Sequence, residues 1–259
     1  MKRVIARLLT LAVLLVTLTG IGSVTANAES LYIRKIVSVV YDDSGSMTSE
    51  DKWAYANYAM QTFCGMLNSQ DQLYVTYMKS AKSIPDYEPE KIDLSASGIQ
   101  KSIDGIKNHS EQGPTPYKAV KIAFDKLKSV QDSNANTQYW LIILTDGTFD
   151  RDKYIHNPDK PDELIDYFDG YVNEVMPNGT NPQITYFAIG GSALKVPARE
   201  DKGLYTYSCT GAADIISTMS DIADRVSGRT RLDKSDMKLL DEKTVQISSA
   251  IPLLNIAVL

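Results

Sequence analysis

The length, composition and charge of the chain limit what it can be. Its 259 residues, 43% of them hydrophobic, fit one well-packed domain of about 200 residues with a short remainder. The net charge of −5 at pH 7 argues against nucleic acid or an anionic membrane surface as a partner, because either would require a basic stripe. Two cysteines exclude a disulfide framework. Cys64 and Cys209 lie amid apolar residues, so we expect free thiols, with a single bridge as the alternative in an exported protein.

The first 28 residues have the organisation of a secretory signal peptide. Three cations near the start precede an apolar run from Leu8 to Leu18, and Ala26-Asn27-Ala28 is a small-x-small cleavage site. A permanent membrane span needs about 20 apolar residues, so cleavage after Ala28 is favoured over an uncleaved anchor. Cleavage lowers the net charge from −5 to −8 by removing three cations. We therefore expect a mature chain without a membrane span, secreted or held at the cell surface.

One hydrophobic run ends in a loop that is rich in oxygen ligands. The residues from Ile36 to Tyr41 predict a strand buried on both faces, and the pattern Asp42-x-Ser44-x-Ser46 follows it directly. Alternate residues of a loop that leaves a strand can point at one centre, and their carboxylate and hydroxyl oxygens suit a small hard cation such as Mg²⁺. Asp, Ser and Gly also form ordinary turns, so this segment alone leaves that alternative open.

Two later segments extend this pattern. Gly113-Pro114-Thr115-Pro116 precedes a helical pattern, and Leu144-Thr145-Asp146-Gly147 follows a strongly apolar strand. With the first loop, they resemble the metal-ion-dependent adhesion site of the von Willebrand factor type A (VWA) family, and the resemblance covers residues 35–228. Pro114 departs from the family, which often has a second glycine there. The resemblance implies that five residues form the metal site: Asp42, Ser44, Ser46, Thr115 and Asp146.

The resemblance also implies a mechanism. Ser44 and Ser46, and Thr115 in one state, would bind Mg²⁺ directly, while Asp42 and Asp146 would act largely through water molecules. Mn²⁺ and Ca²⁺ are the alternative ions. An open coordination position would accept an Asp or Glu carboxylate from a partner protein, because Mg²⁺ prefers hard anionic oxygens. The implied function is metal-dependent protein binding, as in adhesion, without chemical turnover.

Strands and helices alternate along the rest of the domain. We predict strands over residues 73–78, 139–144, 183–189 and 204–208, and an edge strand containing prolines within 84–94. We predict helices over residues 53–67, 97–107, 116–130, 161–176 and 215–226. This rhythm predicts an α/β fold, a doubly wound, Rossmann-like and mostly parallel sheet with helices on both faces. The resemblance adds one antiparallel edge strand. If the strands ending at Asp42 and Asp146 are the neighbours at which strand order reverses, both acids meet in one crevice.

Two other classes of function compete with metal-dependent binding. A phosphoryl-accepting Asp42 would normally have a second Asp two residues later, where Ser44 stands. A serine hydrolase needs a Gly-x-Ser-x-Gly elbow and a His base, and the candidate bases are His109 and His156. We therefore predict that the chain is not an enzyme. A structural VWA module without metal-dependent binding is the remaining alternative.

Some polar residues near the site have simpler interpretations. Glu50 and Asp51 precede a helix and are expected to cap it rather than bind metal. His109 is expected to be a lone surface histidine, and residues 148–161 a solvated acidic loop.

The pattern changes after the domain. Residues 229–259 are rich in Lys and Asp and end in an apolar run that is too short to span a membrane. We interpret them as a linker and the start of a further, truncated domain. A terminal strand that packs back on the domain is the alternative.

Overall fold

The structure is a computed structural model of the chain. It describes residues 32–49, 51–107, 109, 112–147, 149–150, 161–190, 196–228, 237–241 and 244–247. The predicted signal peptide, most of the predicted acidic loop and the final apolar run lie outside these ranges. Within them, no helix is both long and apolar enough to cross a bilayer.

Six strands of the described residues form the central sheet. They are β1 (Arg34–Tyr41), β2 (Gln72–Tyr77), β3 (Glu90–Ile92), β4 (Thr137–Thr145), β5 (Gln183–Ile189) and β6 (Leu204–Cys209). Their order across the sheet is β3-β2-β1-β4-β5-β6. β2 lies parallel to β1, and β4, β5 and β6 are parallel in succession, whereas β3 is antiparallel to β2 at the edge. The predicted mostly parallel sheet with one antiparallel edge strand is confirmed.

Helices cover both faces of this sheet. They are α1 (Lys52–Met66), α2 (Met78–Ser83), α3 (Ile99–Lys107), α4 (Lys118–Ser129), α5 (Pro161–Val172) and α6 (Ala212–Ser227). Residues of α1, α3 and α6 pack with Val37 and Val39 of β1, while residues of α2, α4 and α5 pack with Ile36 and Val40. Successive side chains of a strand point to opposite faces, so β1 contributes to both cores and is buried from Lys35 to Tyr41. The doubly wound architecture is thereby confirmed.

The strand order reverses between β1 and β4. From β1 the chain continues to β2 and β3 on one side, and it later returns to place β4 on the other side of β1. The backbone N–H of Asp42 donates to the carbonyl of Leu144 at 3.0 Å, so the two strands end side by side. A crevice above such a reversal is the usual ligand site of a doubly wound sheet.

Several element boundaries differ from the sequence-based expectations. The sequence places Met78 in the second strand, but Met78 begins the six-residue helix α2. Helix α4 begins at Lys118, because Pro116 pairs with Asp150 in an isolated bridge and is therefore not helical. Helix α5 ends at Val172, four residues before the predicted end.

Two further findings concern the C-terminal segment and the cysteines. Part of the segment interpreted as a linker is an antiparallel hairpin of β7 (Met237–Asp241) and β8 (Thr244–Ile247). Its Lys- and Asp-rich composition hid the short strands from sequence analysis.

Cys64 and Cys209 are both buried and unpaired, as predicted.

Candidate metal site at the ends of β1 and β4

Asp42 lies at the centre of the candidate site, fully buried where β1 ends. One carboxylate oxygen accepts the backbone N–H of Ser44 at 3.0 Å. The other accepts the Thr145 hydroxyl at 2.7 Å and the backbone N–H of Asp146 at 3.4 Å. Burial raises the pKa of Asp42 to about 6, although the hydrogen bonds from Ser44 and Thr145 oppose that rise. A buried carboxylate of this kind is stabilised by a nearby cation.

The two serines of the first loop lie together. Their Oγ atoms, on Ser44 and Ser46, are 2.9 Å apart. Ser46 belongs to a short 3-10 turn, Gly45–Thr48, in which Met47 is fully buried and anchors the loop in the core. Ser44 is buried while Ser46 is exposed, so the hydroxyl pair leads from the end of β1 to the surface.

The Thr115 loop lies at the same carboxyl ends of the central strands. Gly113 pairs with Ser44 in an isolated parallel bridge, and its carbonyl accepts the backbone N–H of Gly45 at 3.4 Å. Thr115, 7% exposed, is held by Asp150. The Thr115 N–H donates to the Asp150 carboxylate at 3.0 Å, and the Thr115 carbonyl accepts the Asp150 N–H at 2.8 Å. Asp150, which belongs to the predicted acidic loop, therefore positions the backbone of Thr115. The sequence carries no signal for this role.

Asp146 faces a cation that sequence analysis overlooked. Its carboxylate Oδ2 is 3.4 Å from Nζ of Lys52, and the two side chains are only 4% and 6% exposed. Lys52 is the first residue of α1. A lysine at that position is unfavourable because the N-terminus of a helix carries partial positive charge. That unusual placement is the one sequence signal that could have drawn attention to Lys52.

The expected capping role of Asp51 is wrong. Asp51 is the N-cap residue of α1, but its side chain makes no capping hydrogen bond. Its backbone has φ 56°, in the left-handed region, rather than the extended conformation typical of N-cap residues. Glu50 lies outside the described residues.

The expectation that His109 is a lone surface residue is also wrong. Its side chain is 18% exposed, and Nε2 lies 3.0 Å from Oδ2 of Asp43. Its ring stacks on Tyr77 with a centroid separation of 3.8 Å. Asp43 is fully buried and also accepts the backbone N–H of Lys79 at 2.8 Å. His109 therefore belongs to a packed polar cluster next to the candidate metal site.

The donor set determines which metal the candidate site fits. Among the described residues, no three His, Cys, Asp or Glu side chains cluster as metal ligands. The candidate site contains two acids, Asp42 and Asp146, so hydroxyl oxygens such as those of Ser44 and Ser46 would have to complete it. An all-oxygen set that includes a desolvated carboxylate fits a hard cation such as Mg²⁺.

Comparisons with known proteins address the fold. No protein-family model matches the sequence, and no curated protein matches it. The chain is similar in structure to a von Willebrand factor type A protein from Catenulispora acidiphila, with a TM-score of 0.50 and 12% identity. The match covers 76% of this chain and 43% of that one. This likeness supports a VWA fold.

Two other solved structures are similar at lower scores. Proximal thread matrix protein 1 from the mussel byssus has a TM-score of 0.47 and 15% identity, over 76% of this chain and 47% of that one. The pilus adhesin SpaC from Lactobacillus rhamnosus GG has a TM-score of 0.48 and 13% identity, over 75% and 30%. The chain spans less than half the length of each of the three structures. At such identities the likeness concerns the fold alone.

Proposed function

We propose that the chain is a secreted or cell-surface VWA-type interaction domain that binds a partner protein through a divalent cation, Mg²⁺ in the first instance. Asp42, Ser44, Ser46, Thr115 and Asp146 would hold the ion. The observation that carries the proposal is the juxtaposition of two buried acids and a pair of serine hydroxyls where the strand order reverses.

The chemistry of these residues supports a cation. The Asp42 carboxylate is buried and has its pKa raised to about 6. Its charged form would therefore gain from a divalent ion more than an exposed carboxylate would. Ser44 and Ser46 supply neutral oxygens, which leave a bound Mg²⁺ able to attract an anionic oxygen. When bound, the ion would offer a coordination position to an Asp or Glu carboxylate of the partner.

The site favours binding over catalysis. The Ser44 hydroxyl contacts the Ser46 hydroxyl, and His109 is engaged by Asp43, so these described residues form no Ser–His pair. A nucleophilic serine requires such a base within hydrogen-bond reach. His156 lies outside the described residues.

A structural VWA module is the second candidate, and one observation favours it. Lys52 already provides a positive charge beside Asp146 at 3.4 Å. The fold could therefore be complete with that ion pair alone, without any bound metal.

Calorimetric titration of the purified protein with MgCl₂ and MnCl₂ separates the two candidates. Metal-dependent binding predicts saturable heat with one site, lost in both Asp42→Ala and Asp146→Ala. Asp125→Ala is the matched control, because Asp125 is an exposed acid paired with Lys121 on α4. The control should bind like the wild type. No saturable binding by the wild type at millimolar metal would favour the structural module.

A further inference from the structure

The ion pair between Lys52 and Asp146 places a lysine in two energetically unfavourable surroundings. The Lys52 side chain is 6% exposed, although a lysine loses strong hydration when it is buried. It also stands at the N-terminus of α1, where the helix dipole opposes a cation. Loss of hydration and the helix dipole therefore both disfavour this ammonium, and the Asp146 carboxylate at 3.4 Å offsets these effects.

The chain around Lys52 leaves room for its stem. Gly190 follows β5 with φ +97°, a conformation that side chains rarely adopt. A Cβ atom at Gly190 would lie 2.6 Å from Cε of Lys52, closer than real contacts allow. Glycine suits this backbone angle, and its lack of a side chain leaves Lys52 in its observed position.

We propose that Lys52 is an internal counter-ion that competes with the divalent cation and tunes the metal site toward anionic partners. The inference rests on the proposed function, which it extends to a residue outside the ligand set. Without metal, the ammonium partly neutralises the acids of the site. A divalent ion attracted by Asp146 is repelled by the ammonium on the same carboxylate, so Lys52 lowers metal affinity.

The same charge has the opposite effect on the partner. Asp42, Asp146, Lys52 and a divalent ion together carry one net positive charge, whereas without Lys52 the acids and the ion would sum to zero. Among these groups, a carboxylate from a partner brings the sum to zero only if Lys52 is present. The metal-loaded site should therefore bind a carboxylate more tightly in the wild type than in a protein without this lysine.

Calorimetry of Lys52→Met tests both effects, because methionine keeps most of the stem and removes the charge. MgCl₂ is titrated with and without acetate, which serves as the carboxylate probe. We expect about tenfold or greater tightening of Mg²⁺ binding in chloride. We also expect acetate to increase Mg²⁺ affinity less in the variant than in the wild type. Lys121→Met removes an exposed lysine from α4 and should leave both quantities unchanged.

Stability provides a second readout that does not depend on the partner. In EDTA, Lys52→Met should melt at a lower temperature than the wild type, because Asp146 loses its cation in a buried site. Saturating Mg²⁺ should raise the melting temperature of the variant more than that of the wild type. If Lys52→Met does not fold, Lys52→Gln removes the same charge with a smaller change of polarity.

The outcomes separate this inference from the proposed function. Tighter Mg²⁺ binding by the variant, with a reduced acetate effect, supports the role of Lys52. Binding that appears only in the variant overturns both proposals, because the wild type then holds no metal. If the wild type binds Mg²⁺ as tightly as Lys52→Met or more tightly, the inference about Lys52 is overturned and the proposed metal site still stands. No binding of Mg²⁺ or Mn²⁺ by any of these proteins overturns both.

Discussion

Two adjacent acids at the end of β1 have different surroundings. Asp42 and Asp43 are both fully buried. Asp42 turns toward β4, where it meets Thr145 and Asp146, and its neighbours include a second carboxylate. Asp43 accepts a hydrogen bond from the backbone N–H of Lys79 at the start of α2, and its Oδ2 lies 3.0 Å from Nε2 of His109.

The aromatic surroundings sharpen the contrast. His109, which binds Asp43, stacks on Tyr77 at 3.8 Å and lies edge-on to Tyr41 at 5.9 Å. Trp53 lies roughly parallel to the imidazole at 6.3 Å. The Asp42 side contains hydroxyls and carboxylates instead. The Asp43 carboxylate thus binds Lys79 and His109 of the protein itself, whereas the carboxylates and hydroxyls around Asp42 supply oxygens for a cation.

The largest expected effect on stability is that of Asp43→Ala. Alanine removes the acceptor of the Lys79 N–H and of His109, so we expect a loss of about 2–4 kcal/mol in the free energy of unfolding. Asp42→Ala, in EDTA at about pH 7, should cost less than about 1 kcal/mol, because removing a buried charge compensates for the lost hydrogen bonds. Urea denaturation followed by circular dichroism measures both. Asp43→Asn, which retains an acceptor for Lys79, should recover part of the loss. Equal losses at the two positions would contradict the comparison.

The second prediction concerns pH. The pKa of Asp42 is raised to about 6 in the folded protein. The folded state then binds the proton more tightly than the unfolded state, whose pKa is near 3.8. The resulting stability is fully present below about 4 and is lost as the pH rises through about 6. In EDTA, the wild type should lose about 2 kcal/mol of unfolding free energy relative to Asp42→Ala between pH 4.5 and 7. A pH-independent difference between the two proteins would contradict the raised pKa.

The smallest expected effect belongs to Thr115. Thr115→Val keeps the shape of the side chain and the backbone contacts with Asp150 but removes the hydroxyl. We expect Mg²⁺ affinity to fall about tenfold, which corresponds to about 1.4 kcal/mol, with little change in unfolding free energy. Thr115→Ser, which retains the hydroxyl, should bind like the wild type. Calorimetry on both variants gives the answer, and a normal affinity in Thr115→Val would remove Thr115 from the ligand set.

Much of the fold was predictable because its signals are local. The Val- and Ile-rich runs of β1 and β4, and the three- and four-residue apolar spacing of α1, each identify an element without tertiary information. One boundary error occurs where a long-range contact overrides local preference. Pro116 would suit the first turn of a helix, but it pairs with Asp150 in an isolated bridge and the helix begins at Lys118.

The site was predictable only in part, for a related reason. The residues of the Asp-x-Ser-x-Ser loop are close in sequence, so their pattern is visible. Lys52 and Asp146 are 94 residues apart, and their contact depends on how α1 sits over the sheet. His109 and Asp43 are 66 residues apart and are likewise joined only by the fold. The partners that distinguish Asp42 from Asp43, such as Thr145 and His109, are likewise distant in sequence and are brought together only by the fold.

The most direct measurement of the central claim is a crystal structure of the protein grown with Mn²⁺, with anomalous diffraction used to locate the metal. We predict one anomalous peak among the oxygens of Asp42, Ser44, Ser46, Thr115 and Asp146, and none beside Asp43. A peak at Asp43, or an empty Asp42 site at millimolar Mn²⁺, would contradict the assignment of the cation to the β4 side of β1.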